Sequence, residues 1–414
     1  MKKILSIVLC LVLTLSVVSG AFAADAVEVA LWTVFTGDDG VTIQNLVDQF
    51  NAENEGKIHV THSPIDAENL YTNMYLAVQT GTEVPDVIIG HVERVPKFVA
   101  DGILTDLSTL TEGAIDLANY PAHVLERTNI DGYQFGIPWD FNAPVLYVNM
   151  DLIAKYDVAS VLEDGYVTFD ELKVVGEAIK AADPDQTVKV TNNYGGFNEF
   201  VARYEELGQV ELIQDGKLVI DPKIWGDMLL VFRDLYKSGY AVERGEDAMN
   251  AFLGGNLVFL EAGTWVNATL MQVEGLNYDA VPMTCFSPET ALCRVGSHTW
   301  MQPENEERTE ETDLAVATFI DWMGAHSLAW GTSAGQVPLY KAVTETEEFK
   351  ALPQTFLAEA GMNEHIKIFK YYYWALFTNA VGHVGMDAIF DDSIDVYGVG
   401  EAIQKEVDDA ISAS

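Results

Sequence analysis

Apolar residues in the first third of the chain recur in turn at strand spacing and at helix spacing. Short apolar or alternating runs predict strands at residues 27–31, 57–62 and 87–89. Between them, amphipathic repeats predict helices over residues 41–54 and 68–80. Strands separated by helices predict right-handed crossovers, and hence an α/β fold with a mostly parallel sheet covered by helices on both faces.

The remainder of the chain continues in the same α/β manner. Thr168 and Glu171 form a capping box that opens a helix running to about residue 182. Asp221 and Pro222 start a second helix, as an N-cap followed by proline at the first helical position. Two further helices are predicted at residues 313–323 and 364–377. No internal repeat or low-complexity linker separates these elements, which favours lobes sharing several crossings over separate domains.

The first 23 residues are predicted to be a secretory signal peptide. Lys2 and Lys3 precede an apolar run over residues 4–18, and residues 21–23 (AFA) supply the small-x-small pattern that signal peptidase reads. The run is too short for a transmembrane helix. Position 24 is Ala, whereas a lipoprotein needs Cys there. We expect cleavage after Ala23 and a mature protein free in the periplasm.

Composition excludes several classes of function. The chain has 414 residues, 63 Asp+Glu against 23 Lys+Arg, and a net charge of −40. Such an acidic chain is a poor binder of nucleic acid or anionic membranes, because neutralising phosphate requires clustered Lys and Arg. A hydrophobic content of 49% excludes intrinsic disorder. We interpret the negative charge as a solubility feature of exposed loops and helix edges.

Two cysteines, Cys285 and Cys293, remain after the signal peptide is removed. An oxidising compartment would permit a disulfide between them, and two unpaired thiols are the alternative. A zinc site is not expected, since one nearby histidine (His298) does not complete a four-ligand set.

Polar and aromatic residues follow the predicted strands of the first third. Ligands of open α/β sheets bind outside the carboxyl ends of the strands. Aromatic rings beside hydroxyl, carboxylate and imidazole groups suit a ligand with apolar faces and polar edges, such as a pyranose sugar. Core packing and helix capping are the alternative roles for these side chains. The candidates from this part of the chain are Trp32, Phe35, Thr36, Asp38, Asp66 and His91.

Five longer segments resemble one known family in their order and spacing. They are residues 29–37 (VALWTVFTG), 84–90 (VPDVIIG), 133–158 (YQFGIPWDFNAPVLYVNMDLIAKYDV), 248–266 (AMNAFLGGNLVFLEAGTWV) and 317–343, which contains ATFIDWM and SAGQVPLYKAV. Together they are similar to extracellular solute-binding proteins of the carbohydrate type, the group that includes maltose-binding protein. The tail after Lys367 fits the family ending only loosely.

The resemblance implies a two-lobed fold of the type II periplasmic-binding-protein class. Each lobe would be a mostly parallel sheet flanked by helices. The N-terminal lobe would comprise residues 24–147 and 298–336, and the C-terminal lobe residues 148–297 and 337–414. Three crossings would join them, near Tyr147, at residues 295–297 and at residues 335–338. Ligand in the cleft would hold the lobes closed by hinge motion.

The resemblance also implies a binding protein without catalysis, cofactor or metal. It would deliver a sugar, most simply a di- or oligosaccharide, to the inner-membrane permease of an ABC importer, and we expect a monomer. The second lobe and the crossings would supply further ligand contacts, with the tryptophans following a turn or strand end. These candidates are Trp139, Asp140, Tyr194, Trp265 and Trp300. Trp225, Trp322, Trp330 and Trp374 are interpreted as structural.

Three other functions remain open from the residues alone. A secreted glycoside hydrolase needs two carboxylates flanking the scissile bond, and so acidic a chain always offers a pair. A ferric-ion carrier could use the adjacent tyrosines at residues 371–373, although their apolar, predicted helical surroundings favour packing. A polyamine receptor could use aromatic rings through cation–π contacts.

Overall fold

The computed structural model describes residues 26–111, 114–185, 187–192, 197–359, 362, 364–369 and 371–413. The predicted signal peptide and the candidate Tyr194 lie outside these ranges.

The chain alternates strands and helices along most of its length. The strands are β1 (Val27–Thr33), β2 (Ile58–Pro64), β3 (Val87–His91), β4 (Asn129–Ile130), β5 (Tyr133–Gln134), β6 (Ile137–Pro138), β7 (Asp140–Phe141), β8 (Pro144–Asn149), β9 (Lys189–Thr191), β10 (Ile213–Gln214), β11 (Lys217–Leu218), β12 (Leu257–Gly263), β13 (Tyr278–Val281), β14 (Cys293–Arg294), β15 (His298–Met301), β16 (Val337–Pro338) and β17 (Ile366–Lys367). The α-helices are Gly37–Glu53, Ala67–Thr80, Val95–Ala100, Ser108–Thr111, Ala122–Leu125, Met150–Lys155, Phe169–Ala182, Phe197–Gly208, Pro222–Lys237, Ala248–Leu253, Asn267–Met271, Glu310–Ala325, Leu328–Ala334, Lys341–Thr344, Glu347–Lys350, Trp374–Val384, Asp387–Phe390 and Val396–Ala413. Short 3-10 helices are Val92–Arg94, Leu117–Asn119, Ala159–Leu162, Thr264–Val266 and Pro353–Ala358.

The first sheet has the strand order β2-β1-β3-β15-β6. β1 runs parallel to β2 and β3, as the alternation of strands and amphipathic helices predicts. β15 arrives from much later in the chain and pairs antiparallel with both β3 and β6. The helix Gly37–Glu53 buries Ile43, Leu46, Val47 and Phe50, the apolar residues on one of its faces.

The second sheet has the order β13-β8-β12-β9. β12 is parallel to β9, whereas β8 is antiparallel to both β12 and β13. Antiparallel pairs enter here because β8 follows directly from the first sheet and not from a βαβ unit. A second hydrophobic core surrounds this sheet, with Trp225, Phe232, Phe259 and Phe377 fully buried in it.

Three chain segments lie side by side between the two sheets. The backbone N–H of Asn142 donates to the carbonyl of Gly296 (3.0 Å), and the N–H of Gly296 donates back (2.7 Å). β16 pairs antiparallel with β7. Tyr147, near which the sequence places the first crossing, is already paired with Leu260 and Ala280 inside the second sheet. The connection therefore runs earlier, through Asn142.

Local sequence signals set several helix ends. The capping box is present, with the Thr168 hydroxyl accepting from the Glu171 N–H and the Glu171 carboxylate accepting from the Thr168 N–H. Asp221 caps the helix Pro222–Lys237. The helix predicted at residues 364–377 is wrong, because Ile366–Lys367 pairs as β17 with β14 and the helix begins only at Trp374.

The disulfide considered from the sequence is not formed, and Cys285 and Cys293 are buried free thiols. Each Sγ approaches a backbone carbonyl, and burial raises the pKa of each thiol to about 12. Within the described residues no helix is long and apolar enough to cross a membrane. The same part of the chain contains no group of three or more His, Cys, Asp or Glu side chains arranged to hold a metal ion.

Candidate functional site

A cavity of about 380 Å³ opens where the end of the first sheet meets the connecting segments and the end of β12. Its lining combines aromatic rings, imidazoles, amides, carboxylates and one guanidinium. The lining residues are Val34, Phe35, Thr36, Asp39, His91, Glu93, Asn142, Trp265, Arg294, His298 and Gln336. Four of the sequence candidates, Phe35, Thr36, His91 and Trp265, are thus brought together from distant parts of the chain.

Trp265 is the exposed aromatic side chain of this cavity. It lies in the 3-10 helix Thr264–Val266, directly after β12, and keeps 47% of its surface exposed. A Cβ on Gly263 would lie 2.2 Å from the Trp265 ring, so only glycine lets the indole fold back over the strand end. A large exposed indole at a cavity mouth is suited to stacking on an apolar ligand face.

The imidazole of His91 is held at the end of β3 by Tyr71. The Tyr71 hydroxyl accepts from the His91 backbone N–H (3.0 Å) and is hydrogen-bonded to His91 Nδ1 (2.6 Å). Burial, and then the nearby His298, lower the pKa of His91 to about 4. The ring is therefore neutral near pH 7 and has one N–H donor and one acceptor nitrogen.

An ion pair between Glu93 and Arg294 crosses the cavity wall. Arg294 Nη2 donates to Glu93 Oε1, joining the 3-10 helix that follows β3 to β14. Both side chains are nearly buried, at 6% and 12% exposure. Within the described residues, Glu93 Oε2 and Arg294 Nε have no hydrogen-bond partner. Both atoms are buried in this conformation, so the ion pair shapes the cavity wall without offering these two atoms to a ligand.

Asp39, and not its neighbour Asp38, lines the cavity. Burial raises the pKa of the Asp39 carboxyl to about 6, with His298 opposing the shift and Asp140 and Asp38 adding to it. Asp38 is exposed in the first turn of the helix Gly37–Glu53. The sequence candidate Asp38 is therefore one residue away from the aspartate that lines the cavity.

Asp140 lies beneath the cavity and holds two of the surrounding rings. It is fully buried, and its Oδ1 accepts from the His298 backbone N–H (2.8 Å). Its Oδ2 accepts from Trp330 Nε1 (2.6 Å) and pairs with His298 Nδ1 (2.7 Å). Phe35 packs on both rings, with centroids 4.6 Å from each. Asp140 thus positions cavity residues without lining the cavity.

The other candidates lie away from this cavity. Trp139 and Trp300 are fully buried in the first core, where Trp139 stacks on Trp330 and contacts Trp300. Trp32 lies on the opposite face of its strand, against the helix Ala67–Thr80. Asp66 is exposed and caps that helix. In this conformation the covered Trp139 and Trp300 rings cannot contact a ligand.

A second cavity of about 400 Å³ adjoins the first, and Glu93 lines both. Its other lining residues are Arg94, Lys97, Tyr372, Tyr373, Trp374, Ala375 and Leu376. Lys97 Nζ donates to Tyr372 Oη (3.2 Å), and the Arg294 guanidinium lies 5.4 Å from the Trp374 ring centroid. Trp374 was interpreted as structural, and it is nearly buried, yet it also lines this cavity.

Sequence reasoning missed Asp39, Glu93, Asn142, Arg294, His298 and Gln336 as lining residues. Asp39 and Glu93 each lie one or two residues from a chosen candidate, so extending the strand-end segments would have included them. No pattern in the neighbouring sequence identifies Arg294 or Gln336, because they reach the cavity only through the packing of the connecting segments.

Comparisons with known proteins identify the family and the fold of this chain. A family model described as bacterial extracellular solute-binding protein matches residues 36–327. The arabinooligosaccharide-binding protein of Halalkalibacterium halodurans is 25% identical over 228 residues. That match covers 53% of this chain and 48% of the relative, so it spans about half of each protein.

Two solved structures share the fold over nearly the whole chain. The cyclic alpha-maltosyl-1,6-maltose binding protein from Arthrobacter globiformis has a TM-score of 0.73 at 18% identity, covering 94% of this chain and 100% of that one. UgpB from Mycobacterium tuberculosis, solved in complex with glycerophosphocholine, has a TM-score of 0.75 at 17% identity, covering 93% and 98%. The chain therefore has the two-lobed α/β fold of these binding proteins.

Proposed function

Because this chain belongs to the bacterial extracellular solute-binding protein family, we propose that it is a receptor that captures a carbohydrate between its two lobes and delivers it to an ABC-type importer. The observation that carries the proposal is the cavity wall itself. There the exposed Trp265 ring lies beside polar side chains, among them Thr36, His91 and the Glu93–Arg294 pair.

The chemistry of this wall matches a sugar better than a metal or a polyamine. A pyranose offers an apolar C–H face to an indole and hydroxyls to planar polar groups. Glu93 is already compensated by Arg294, and His91 is neutral. Among the described residues, Asp39 is therefore the one carboxylate of this lining without an ion-pair partner, and a single carboxylate is a weak site for ferric ion or spermidine. The named relative that binds arabinooligosaccharides supports the same ligand class.

The size of the cleft favours a di- or oligosaccharide. The two adjoining cavities, of about 380 and 400 Å³, share Glu93 and together exceed what one sugar ring fills. We propose Phe35, Thr36, Asp39, His91, Glu93, Trp265 and Arg294 as ligand contacts, with Asp140, Trp139 and Trp300 as their support. Tyr194 stays a candidate from the sequence.

The receptor would act as a monomer in the periplasm after cleavage behind Ala23, and would present its closed form to an inner-membrane permease. Its lobes would have the boundaries predicted from the sequence, except that the first crossing lies at Asn142. The receptor would need no cofactor and would not turn over its ligand. Closure is favoured only by contacts that bridge both lobes. The Glu93–Arg294 pair joins the first sheet to β14 and is such a contact.

Thermal unfolding with a ligand panel tests the proposal. Neutral and acidic mono- and oligosaccharides, spermidine and ferric ion are compared, and only saccharides should raise Tm, because a ligand bound to the folded state alone stabilises it. Stabilisation by spermidine or ferric ion, with none by any sugar, would contradict the proposal. Hydrolysis of an oligosaccharide would assign the protein to the glycosidases.

A Trp265→Ala variant tests the site. We expect at least tenfold weaker saccharide binding, about 1.4 kcal/mol, with Tm of the free protein unchanged because the ring is largely exposed. Tyr133→Ala is the matched control, since Tyr133 is 55% exposed and lies in the β4–β5 hairpin away from the cleft. Unaltered binding by Trp265→Ala would show that the ligand lies elsewhere.

A further inference from the structure

Basic side chains concentrate at the cleft of an otherwise acidic protein. The whole chain has 23 Lys+Arg against 63 Asp+Glu. Three of these basic residues, Arg94, Lys97 and Arg294, line the two adjoining cavities. Basic residues form a larger share of this lining than of the whole chain. Which of these positive charges the protein itself neutralises therefore bears on the charge of the ligand.

Two of the three cations are already compensated by the protein. Arg294 pairs with Glu93, as described above. Lys97 pairs with Asp101, with Nζ 2.6 Å from Oδ2, and also donates to the Tyr372 hydroxyl. Neither side chain leaves a full positive charge for a ligand.

Arg94 differs from both. No carboxylate of the described residues lies within ion-pair distance of it, and its guanidinium lies 5.1 Å from the Tyr71 ring centroid. It is half-buried, directly after Glu93 in the 3-10 helix Val92–Arg94. Its positive charge also reaches His91, whose protonation it disfavours. One uncompensated guanidinium thus lies beside the cavity that Tyr372, Tyr373 and Trp374 line.

A guanidinium is suited to one kind of ligand group. Its planar fork matches a carboxylate through two parallel hydrogen bonds, and it is weakly hydrated compared with an ammonium group. The adjacent aromatic side chains offer faces for a sugar ring. A single positive charge balances one carboxylate, as carried by one uronic acid unit.

We propose that the ligand is an acidic saccharide, and that Arg94 binds the carboxylate of a uronic acid unit in the cavity lined by Tyr372, Tyr373 and Trp374. This inference rests on the proposed carbohydrate-binding function. The neighbouring unit of the saccharide lies against Trp265 and the Glu93–Arg294 pair.

Calorimetric titration of the full mature chain tests the inference with matched ligands. The probes are galacturonic, glucuronic and mannuronic acid disaccharides, their methyl esters, and the corresponding neutral disaccharides. The ester keeps the shape of the uronate and removes its charge. We expect at least one acid to bind tenfold or more tighter than its own ester and its neutral counterpart, with the difference shrinking at high salt.

The variants Arg94→Gln and Arg94→Lys assign the preference to this residue. Arg94→Gln should bind acid and ester within about twofold of each other, and Arg94→Lys should keep part of the preference, since it retains the charge without the fork. Arg244→Gln is the control, because Arg244 is an exposed cation outside both cavities. If Arg94→Gln fails to fold, the comparison of acid and ester on the native protein still decides whether the ligand is acidic, and Arg94→Lys tests the residue.

The outcomes separate this inference from the proposed function. Neutral sugars or esters binding as tightly as every acid would overturn the acidic ligand and leave the carbohydrate receptor standing. An acid preference that persists in Arg94→Gln would overturn the role of Arg94. Binding of a glycerophosphodiester with no saccharide binding would overturn both.

Discussion

Replacing Asp140 by Asn should destabilise the protein far more than an isosteric change suggests. The carboxylate is fully buried and accepts three contacts, from the His298 backbone N–H, from His298 Nδ1 and from Trp330 Nε1. An amide of the same shape has one acceptor oxygen, and its nitrogen can only donate.

Both orientations of the amide leave a buried donor without an acceptor. If the nitrogen takes the place of Oδ2, it faces the Trp330 indole N–H, which cannot accept. If it takes the place of Oδ1, it faces the backbone N–H of His298. Each case costs about 1–3 kcal/mol for the orphaned donor.

The surviving hydrogen bonds also lose the charge that strengthens them, roughly halving their contribution. Removing a buried charge returns part of this cost, because the amide is cheaper to desolvate. We therefore expect a loss of about 2–4 kcal/mol in the free energy of unfolding, a large part of the 5–15 kcal/mol typical of folded proteins.

Equilibrium unfolding in urea, followed by circular dichroism and by tryptophan fluorescence, measures this loss. Coincidence of the two transitions is required for a single free energy in a two-lobed protein. Asp185→Asn is the control, because that aspartate is exposed. If Asp140→Asn stays within about 0.5 kcal/mol of the native protein, as a surface change would, the three contacts do not stabilise the fold.

Two further predictions concern His91 and the thiols. Because the pKa of His91 is lowered to about 4 in the folded state, its protonation favours unfolding, and stability should be lost as pH falls from about 6.5 towards 4. His91→Gln should lose less stability over that range than the native protein or the exposed control His59→Gln, and parallel pH profiles would contradict this. Cys285 and Cys293 should resist a thiol reagent until the protein unfolds and then react together, with Tm independent of reductant; labelling of the folded protein would show that they are accessible.

The sequence predicts those features of the fold that depend on hydrogen bonds between residues close together in the chain. The Thr168–Glu171 capping box and the Asp221 N-cap need residues only two or three positions apart, and both form as predicted. These caps form as predicted because the free backbone N–H groups of a first helical turn need hydrogen-bond acceptors from residues of the same turn.

The helix predicted at residues 364–377 shows where local periodicity fails. Its apolar residues repeat at a spacing compatible with a helix, yet Tyr371 packs into the second core and Tyr372 contacts Lys97 from outside a helix. The pairing of β17 with β14 takes the start of this segment into extended structure. Tertiary pairing thus overrides the helical pattern of a short apolar run.

The site is predicted less well than the fold because its contacts join distant parts of the chain. Glu93 and Arg294 are 201 positions apart, and neither has a neighbour that signals the other. The tryptophans mislead for a related reason: a Trp after a turn can either face a cleft or fill the core. Trp265 lies at a cleft, whereas Trp139 and Trp300 fill the core, where Trp139 stacks on Trp330 and contacts Trp300.

The acidic composition and the charge of the cleft have separate physical roles. Carboxylates such as Glu304, Glu306 and Glu310 are exposed, where solvent screens them. At the cleft, Glu93 is paired with Arg294 and Lys97 with Asp101, so the overall charge does not determine what the site attracts. A ligand at contact distance responds to the nearest uncompensated group more than to screened charges farther away than a Debye length. An acidic protein can therefore hold a local site for an anion, which is the arrangement that Arg94 provides.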